Sequence, residues 1–130
     1  MEKGEILELD KEKFEEITSR CENLIVVMFY TNSCPNCRAM EPIYRKISGE
    51  LDGIATLTIV NANLHQDLAM RYGIYSVPTF KFFCRGQPIG ELVGAMNRTL
   101  LRNTIKDFAS MKHNCVTKSS KVVYELTGYA

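Results

Sequence analysis

Two of the five cysteines in this 130-residue chain are separated by only two residues, in the segment Cys34-Pro35-Asn36-Cys37. A cysteine thiolate is the nucleophile in thiol–disulfide exchange. In a pair at this spacing, one sulfur can attack a disulfide and the other can then displace the product. The same spacing also provides two of the four ligands that a structural zinc ion requires. The pair therefore indicates either redox chemistry or half of a metal site.

The residues around the pair predict that a strand turns into a helix at this point. Residues 25–30 are β-branched and aromatic, which is typical of a fully buried strand, and residues 31–33 predict a turn. A helix is then predicted from Cys34 to about Ser48. Pro35 lies in its first turn, where proline is tolerated, Pro42 is expected to kink it, and Gly49 to end it.

This position assigns a different role to each cysteine. The N-terminus of a helix presents unpaired N–H groups and a partial positive charge, which favour an anion. Arg38 adds a full positive charge nearby. We therefore expect Cys34 to be the exposed attacking thiolate and Cys37, one turn deeper, to be the resolving cysteine. Pro35, Asn36 and Arg38 are predicted to tune the pair.

The remaining elements follow from hydrophobic periodicity and turn residues. The sequence predicts strands at residues 6–9, 54–60, 79–84 and 89–93, and helices at 11–21, 64–72 and 98–111. The last two strands are joined by a turn at residues 85–88 and form a hairpin. The order βαβαβαββα predicts the α/β class, with a mixed central sheet of about five strands and helices on both faces. Residues 1–111 are predicted to be one domain, and 112–130 a polar tail or small appendage.

Composition excludes several classes of function. The net charge is +1, with 45% hydrophobic and 24% charged residues, so no strong electrostatic field favours nucleic acid or a membrane surface. No apolar run is long enough to span a membrane. The charged N-terminus does not resemble a secretory signal, and we therefore expect a cytoplasmic protein in which paired cysteines are catalytic or metal-binding. We also expect the protein to be a monomer.

Several motifs between residues 5 and 111 are shared with one family. They are Phe29-Tyr30, Cys34 and Cys37, Pro42, Tyr72-Gly73-Ile74, Val77-Pro78-Thr79, Gly86 and Gly94. On these residues the chain resembles the thioredoxin family and its fold. The resemblance implies that Pro78 is preceded by a cis peptide bond and faces the two cysteines, and that the backbone of Val77 binds an extended peptide substrate. Tyr75 and Ser76 either line the same groove or form a plain loop.

The chain also departs from the pattern of that family. Ser33 stands where thioredoxins usually have Trp, and Pro35-Asn36 replaces the usual Gly-Pro. A buried Asp, thought to help deprotonate the resolving cysteine, and its Lys neighbour are matched by Met28 and Ile59. Methionine cannot accept a proton, so resolution requires water or another base. These departures leave open whether the redox potential is that of a reductant or an oxidant.

The resemblance implies a protein dithiol–disulfide oxidoreductase that reduces protein disulfides through Cys34 and Cys37. No cofactor motif is present, so a thioredoxin-reductase-like donor or a small thiol would supply electrons. Two alternatives are a redox-inactive protein-binding module that uses the Val77-Pro78 groove, and a more oxidising isomerase or glutaredoxin-like activity. A zinc site is disfavoured, because the two histidines, His65 and His113, make no ligand pair.

The other three cysteines are predicted to lie away from the pair. Cys21 falls on the apolar stripe of the first helix, where a buried small hydrophobic residue is expected. Cys84 ends a strand that runs away from the site, and the last helix carries Cys115 towards the same end. A Cys84–Cys115 disulfide is therefore geometrically possible.

Overall fold

The computed structural model of the protein describes residues 6–19 and 23–111. The elements follow the predicted order. They are β1 (Leu7–Glu8), α1 (Lys11–Ser19), β2 (Leu24–Tyr30), α2 (Pro35–Glu50), β3 (Ala55–Asn61), α3 (Gln66–Arg71), β4 (Thr79–Cys84), β5 (Gln87–Val93) and α4 (Arg98–Ser110).

One five-stranded sheet, in the order β1-β3-β2-β4-β5, forms the centre of the molecule. β1, β3 and β2 are parallel to one another, whereas β4 pairs antiparallel with both β2 and β5. The prediction of a mixed sheet is therefore confirmed. The register places Met28 of β2 opposite Ile59 of β3, and Ile59 opposite Glu8 of β1. Residues directly opposite in a sheet project from the same face, so these three form one row across the sheet.

Alternation along β2 divides the core into two layers. Val26 and Met28 belong to a cluster that also contains Met40 and Tyr44 of α2 and the apolar stripe of α4. Val27 belongs to a second cluster with residues of α1 and α3 on the opposite face. Because β2 is covered on both faces, nearly all of its residues are buried, which explains its continuous apolar sequence.

Two local expectations were wrong. The first concerns the end of α2, which continues through Gly49 to Glu50, and the Leu51 N–H still donates to the Ile47 carbonyl at 2.9 Å. One glycine costs a helix only about 1 kcal/mol relative to alanine, and the burial of Ile47 outweighs this cost.

The hairpin turn is also shorter than predicted, since Pro88 lies within β5. Arg85 and Gly86 make the two-residue turn with φ values of 53° and 80°, as the tight hairpin class requires. β5 lies at the edge of the sheet, where a residue without an N–H is tolerated, and the register shifts between Phe82 and Phe83 opposite it.

Other predictions fall on residues outside the described ranges. The burial of Cys21, the nature of the tail at 112–130 and the domain boundary at residue 111 stay predictions. Cys84 is buried at the end of β4 and takes part in a disulfide bond. Cys115 lies outside the described residues, so the pairing of these two cysteines also stays a prediction. Within the described ranges, none of the helices combines the length and the hydrophobicity that crossing a membrane demands.

Candidate active site

Cys34 is the N-cap residue of α2. Its backbone is extended, with φ −94° and ψ 111°, and Pro35 is the first helical residue. The Cys34 sulfur accepts a hydrogen bond from the Cys37 backbone N–H at 3.1 Å. The sulfur thus occupies the position in which a capping oxygen normally satisfies a free N–H at the start of a helix. The strand, turn and helix arrangement expected from the sequence is confirmed.

The two cysteines differ in exposure. Cys34 is partly exposed, whereas Cys37 is 3% exposed beneath it. Burial, followed by its hydrogen bond with Cys34, raises the pKa of the Cys37 thiol to about 11. At neutral pH, Cys37 is therefore protonated and needs a proton acceptor before it can attack a disulfide.

The loop that precedes β4 completes the face around Cys34. The Val77–Pro78 peptide bond is cis, as the resemblance implies. The Cys34 thiol donates a weak hydrogen bond to the Val77 carbonyl oxygen, with an S···O distance of 3.7 Å. Pro78 is buried directly before β4. The backbone of Val77 therefore lies within reach of a chain segment bound against the sulfur.

The other predicted site residues surround this centre. Pro35 and Asn36 are exposed on the first turn of α2. The Arg38 guanidinium donates to the carbonyl of Asn32 at 2.8 Å and thus contacts the loop that precedes Cys34. Tyr75 projects into solvent and is 96% exposed. The structure therefore brings Cys34 into direct contact with Cys37 and Val77, and leaves Tyr75 on the open surface.

Ser76 has a local backbone role. Its carbonyl accepts a hydrogen bond from the Thr79 hydroxyl at 2.7 Å, which ties the loop to the start of β4. The Ser76 side chain is exposed next to Tyr75. Both positions are thus accessible to a bound segment.

A cavity of about 410 Å³ lies beside the buried cysteine, between α2 and the β1-β3-β2 part of the sheet. We call it the Cys37 cavity. Its floor includes Met28 and Ile59, and its walls are lined by the polar residues Glu8, Tyr30, Glu41 and Arg45. A water molecule takes up about 30 Å³ of liquid, so the cavity has room for several.

Glu8 and Tyr30 are linked within this cavity. The Tyr30 hydroxyl donates to a carboxylate oxygen of Glu8 at 2.5 Å. Burial and this hydrogen bond raise the pKa of Tyr30 to about 12, so the hydroxyl keeps its proton over the physiological range. No motif in the sequence points to Glu8, Glu41 or Arg45. Glu8 reaches the site through the pairing of β1 with β3, which no local pattern reports.

Among the residues that the structure describes, no group of three or more His, Cys, Asp or Glu side chains could hold a metal ion. Cys34 and Cys37 are free thiols. Their geometry is that of an exposed sulfur with a buried partner one turn below.

This fold and this cysteine pair match a known family. The family model described as Thioredoxin matches residues 5–107. The chain belongs to the thioredoxin family. A solved structure of a thioredoxin from Malassezia sympodialis covers 82% of this chain and 93% of its own, with a TM-score of 0.76 and 26% identity.

Curated relatives include a thioredoxin and a protein disulfide isomerase-like protein. Mitochondrial thioredoxin-2 of Schizosaccharomyces pombe is 34% identical over 91 residues, which are 68% of each chain. Protein disulfide isomerase-like 2-3 of Oryza sativa subsp. japonica is 32% identical over 90 residues, which are 69% of this chain. The match spans only 20% of the length of that rice protein.

Proposed function

We propose that the protein is a thiol–disulfide oxidoreductase that acts on disulfide-bearing proteins. The observation that carries the proposal is the Cys34 sulfur at the N-cap of α2, partly exposed, with the Cys37 N–H 3.1 Å away and the Cys37 thiol buried below. A helix N-terminus favours negative charge on the attacking sulfur. Membership of the thioredoxin family supports the same chemistry.

The reaction proceeds in two exchanges. The Cys34 thiolate attacks one sulfur of the substrate disulfide, and the other substrate sulfur leaves as a thiolate. Cys37 then loses its proton and attacks Cys34 in the mixed disulfide. The Cys34–Cys37 bond forms, the bond to the substrate breaks, and the second substrate thiolate is released and protonated. The substrate disulfide gains two electrons and the protein dithiol loses two.

Substrate binding is assigned to the loop before β4. A segment in extended conformation would lie across Cys34 and form backbone hydrogen bonds with Val77, next to the buried Pro78. Val77 is in hydrogen-bond contact with the attacking sulfur, which supports this assignment. Tyr75 and Ser76 are exposed beside it and would contact the flanking residues of the substrate.

The direction of exchange depends on the redox potential. We propose net reduction of protein disulfides in the cytoplasm by a monomer, with electrons from a thioredoxin-reductase-like enzyme or a small thiol. Pro35, Asn36 and Arg38 tune the potential, because all three lie in the first turn of α2, next to the attacking sulfur.

A more oxidising, isomerase-like activity is the second candidate. It is favoured by the similarity to a relative named as a protein disulfide isomerase-like protein. Titration of the Cys34–Cys37 dithiol against defined thiol–disulfide buffers distinguishes the two activities, since a reductant titrates well below the cytosolic glutathione potential.

Replacement of single sulfurs tests the proposed activity. Cys34→Ser should abolish reduction of a disulfide-bonded model protein, because no attacking sulfur remains. Cys37→Ser should stop the reaction at a mixed disulfide with the substrate. Gel electrophoresis in the absence of a reductant detects this species. Full activity of the Cys34→Ser variant would refute the proposal. If the unmodified protein reduces no disulfide and the Cys34→Ser variant binds its partner as well as the unmodified protein does, a redox-inactive binding module is favoured.

A further inference from the structure

Resolution by Cys37 requires that its proton has a destination. The thiol is 3% exposed and lines the Cys37 cavity. The floor of this cavity includes Met28 and Ile59, which face each other across β2 and β3. Neither side chain can accept a proton. A side-chain acceptor would therefore have to come from the wall of the cavity.

Glu8 lies in the same row of the sheet as those two apolar residues. It pairs with Ile59 in the parallel register of β1 and β3, one strand further from β2 than Ile59. Glu8 lines the cavity, and its carboxylate accepts the hydrogen bond from the Tyr30 hydroxyl. Because Tyr30 keeps its proton, this hydrogen bond orients Glu8 throughout the pH range in which exchange occurs.

Within residues 6–19 and 23–111, the charged and titratable groups around the thiol come from three elements. Cys34, Arg38, Glu41 and Arg45 are contributed by α2 and its cap, Glu8 by β1 and Tyr30 by β2. Glu41 is the competing carboxylate, but its Oε2 atom is engaged by Arg45 at 2.7 Å. Glu8 accepts its hydrogen bond from a neutral hydroxyl, so this contact with Tyr30 does not neutralise the carboxylate.

We propose that Glu8, oriented by Tyr30, accepts the proton of the Cys37 thiol through water in the Cys37 cavity. This inference rests on the proposed oxidoreductase activity. In the step itself, the proton moves from the Cys37 sulfur through water to the Glu8 carboxylate as the sulfur attacks Cys34. The departing substrate thiolate then takes a proton from solvent, and Glu8 returns its own to solvent. No further oxidant or reductant is involved.

A single-turnover experiment separates the two exchanges. The reduced full-length protein is mixed with one equivalent of an aromatic disulfide whose thiolate leaving group absorbs visible light. The first release of thiolate reports attack by Cys34, and the second reports resolution by Cys37. The variants are Glu8→Gln, its matched control Glu41→Gln in the same cavity, and Tyr30→Phe, each checked for folding by its thermal unfolding curve.

We expect Glu8→Gln to slow the second release on the order of a hundredfold at neutral pH, while the first release is unchanged. In this variant, the rate of the second release should then rise about tenfold for each pH unit, because the Cys37 thiolate must form without a carboxylate acceptor. The unmodified protein should show a much weaker pH dependence. Tyr30→Phe should slow the second release by less than Glu8→Gln does, and Glu41→Gln should not slow it.

Some outcomes overturn the assignment. An unchanged rate and pH profile in Glu8→Gln would exclude Glu8 as the acceptor, and an equal loss in Glu41→Gln would show a general effect of charge. A Tyr30→Phe variant as fast as the unmodified protein would exclude the orienting role of Tyr30. Absence of the first release in the unmodified protein would instead refute the oxidoreductase activity itself.

Discussion

Replacing Met28 by Asp tests how strongly the core beside Cys37 rejects a charge. Met28 is 2% exposed and faces Ile59 in the layer that α2 covers. The substitution removes a buried apolar side chain and places a carboxyl group against the apolar Ile59. It also places an acid at the position where thioredoxins usually have one, without its usual lysine neighbour.

The expected destabilisation has two parts. Loss of the buried methionine costs about 2 kcal/mol, and burial of an incompletely bonded carboxyl costs about 1–3 kcal/mol more. Burial also raises the pKa of the new carboxyl in the folded state above about 3.9, its value in the unfolded chain. The unfolded state then releases its proton first as the pH rises. Stability should therefore fall by about 1.4 kcal/mol per pH unit, from about pH 4 up to the folded-state pKa.

Urea unfolding of the reduced protein at about pH 5 and about pH 8 measures both parts. Met28→Leu is the matched control, and its free energy of unfolding should differ from that of the unmodified protein by less than about 1.5 kcal/mol. The double variant Met28→Asp, Ile59→Lys should recover part of the loss at the higher pH, because a cation then faces the carboxylate. A deficit that is equal to that of Met28→Leu, or that is the same at both pH values, would refute the reasoning.

Two further predictions concern the thiol pair and the packing of the hairpin. Alkylation of the reduced protein at neutral pH should modify Cys34 and spare Cys37. The alkylation rate of Cys37 should rise about tenfold per pH unit towards its pKa of about 11. Peptide mass mapping measures both rates, and a pH-independent rate at Cys37 would contradict this prediction. A Cβ atom on Gly90 would lie 2.6 Å from Cζ and 2.8 Å from Cε1 of Phe108. Gly90→Ala should therefore lower the free energy of unfolding by about 1–3 kcal/mol. Adding Phe108→Leu to the Gly90→Ala variant should restore part of that loss. Equal melting temperatures for Gly90→Ala and the unmodified protein would contradict the expectation.

Features that depend on local chemistry were predictable from the sequence. Cys34 is predicted at the start of a helix by the apolar residues 25–30, the turn that follows them and Pro35. The structure has Cys34 at that position. The residues matched to the usual Asp and Lys of thioredoxins, Met28 and Ile59, do lie opposite each other in the sheet. In each case, the necessary information is contained in a short segment of the sequence or in the resemblance to the thioredoxin family.

Features that depend on competition between distant contacts were not predictable. Gly49 is a reasonable end for an isolated helix, yet packing of Ile47 carries α2 past it. Pro88 is a turn residue by propensity, and only its place on the edge strand allows it within β5. Glu8 lies in a short strand whose register with β3 determines what its side chain faces. Such a register is a property of the assembled sheet, because two helices and a strand separate β1 from β3 along the chain.

The hydrogen bond from the Cys37 N–H to the Cys34 sulfur couples the oxidation state of the pair to the stability of α2. In the dithiol the sulfur is available as a cap, whereas in the disulfide it is bonded to Cys37 and is a weaker acceptor. A helix cap contributes about 0.5–2 kcal/mol. In a thermodynamic cycle, any part of that energy lost on oxidation favours the dithiol and raises the reduction potential. With 30 mV corresponding to about 1.4 kcal/mol for two electrons, loss of the whole cap energy shifts the potential by roughly 10–40 mV towards the oxidising side, and a partial loss shifts it by proportionally less. The first turn of the helix is thus itself a determinant of electron affinity.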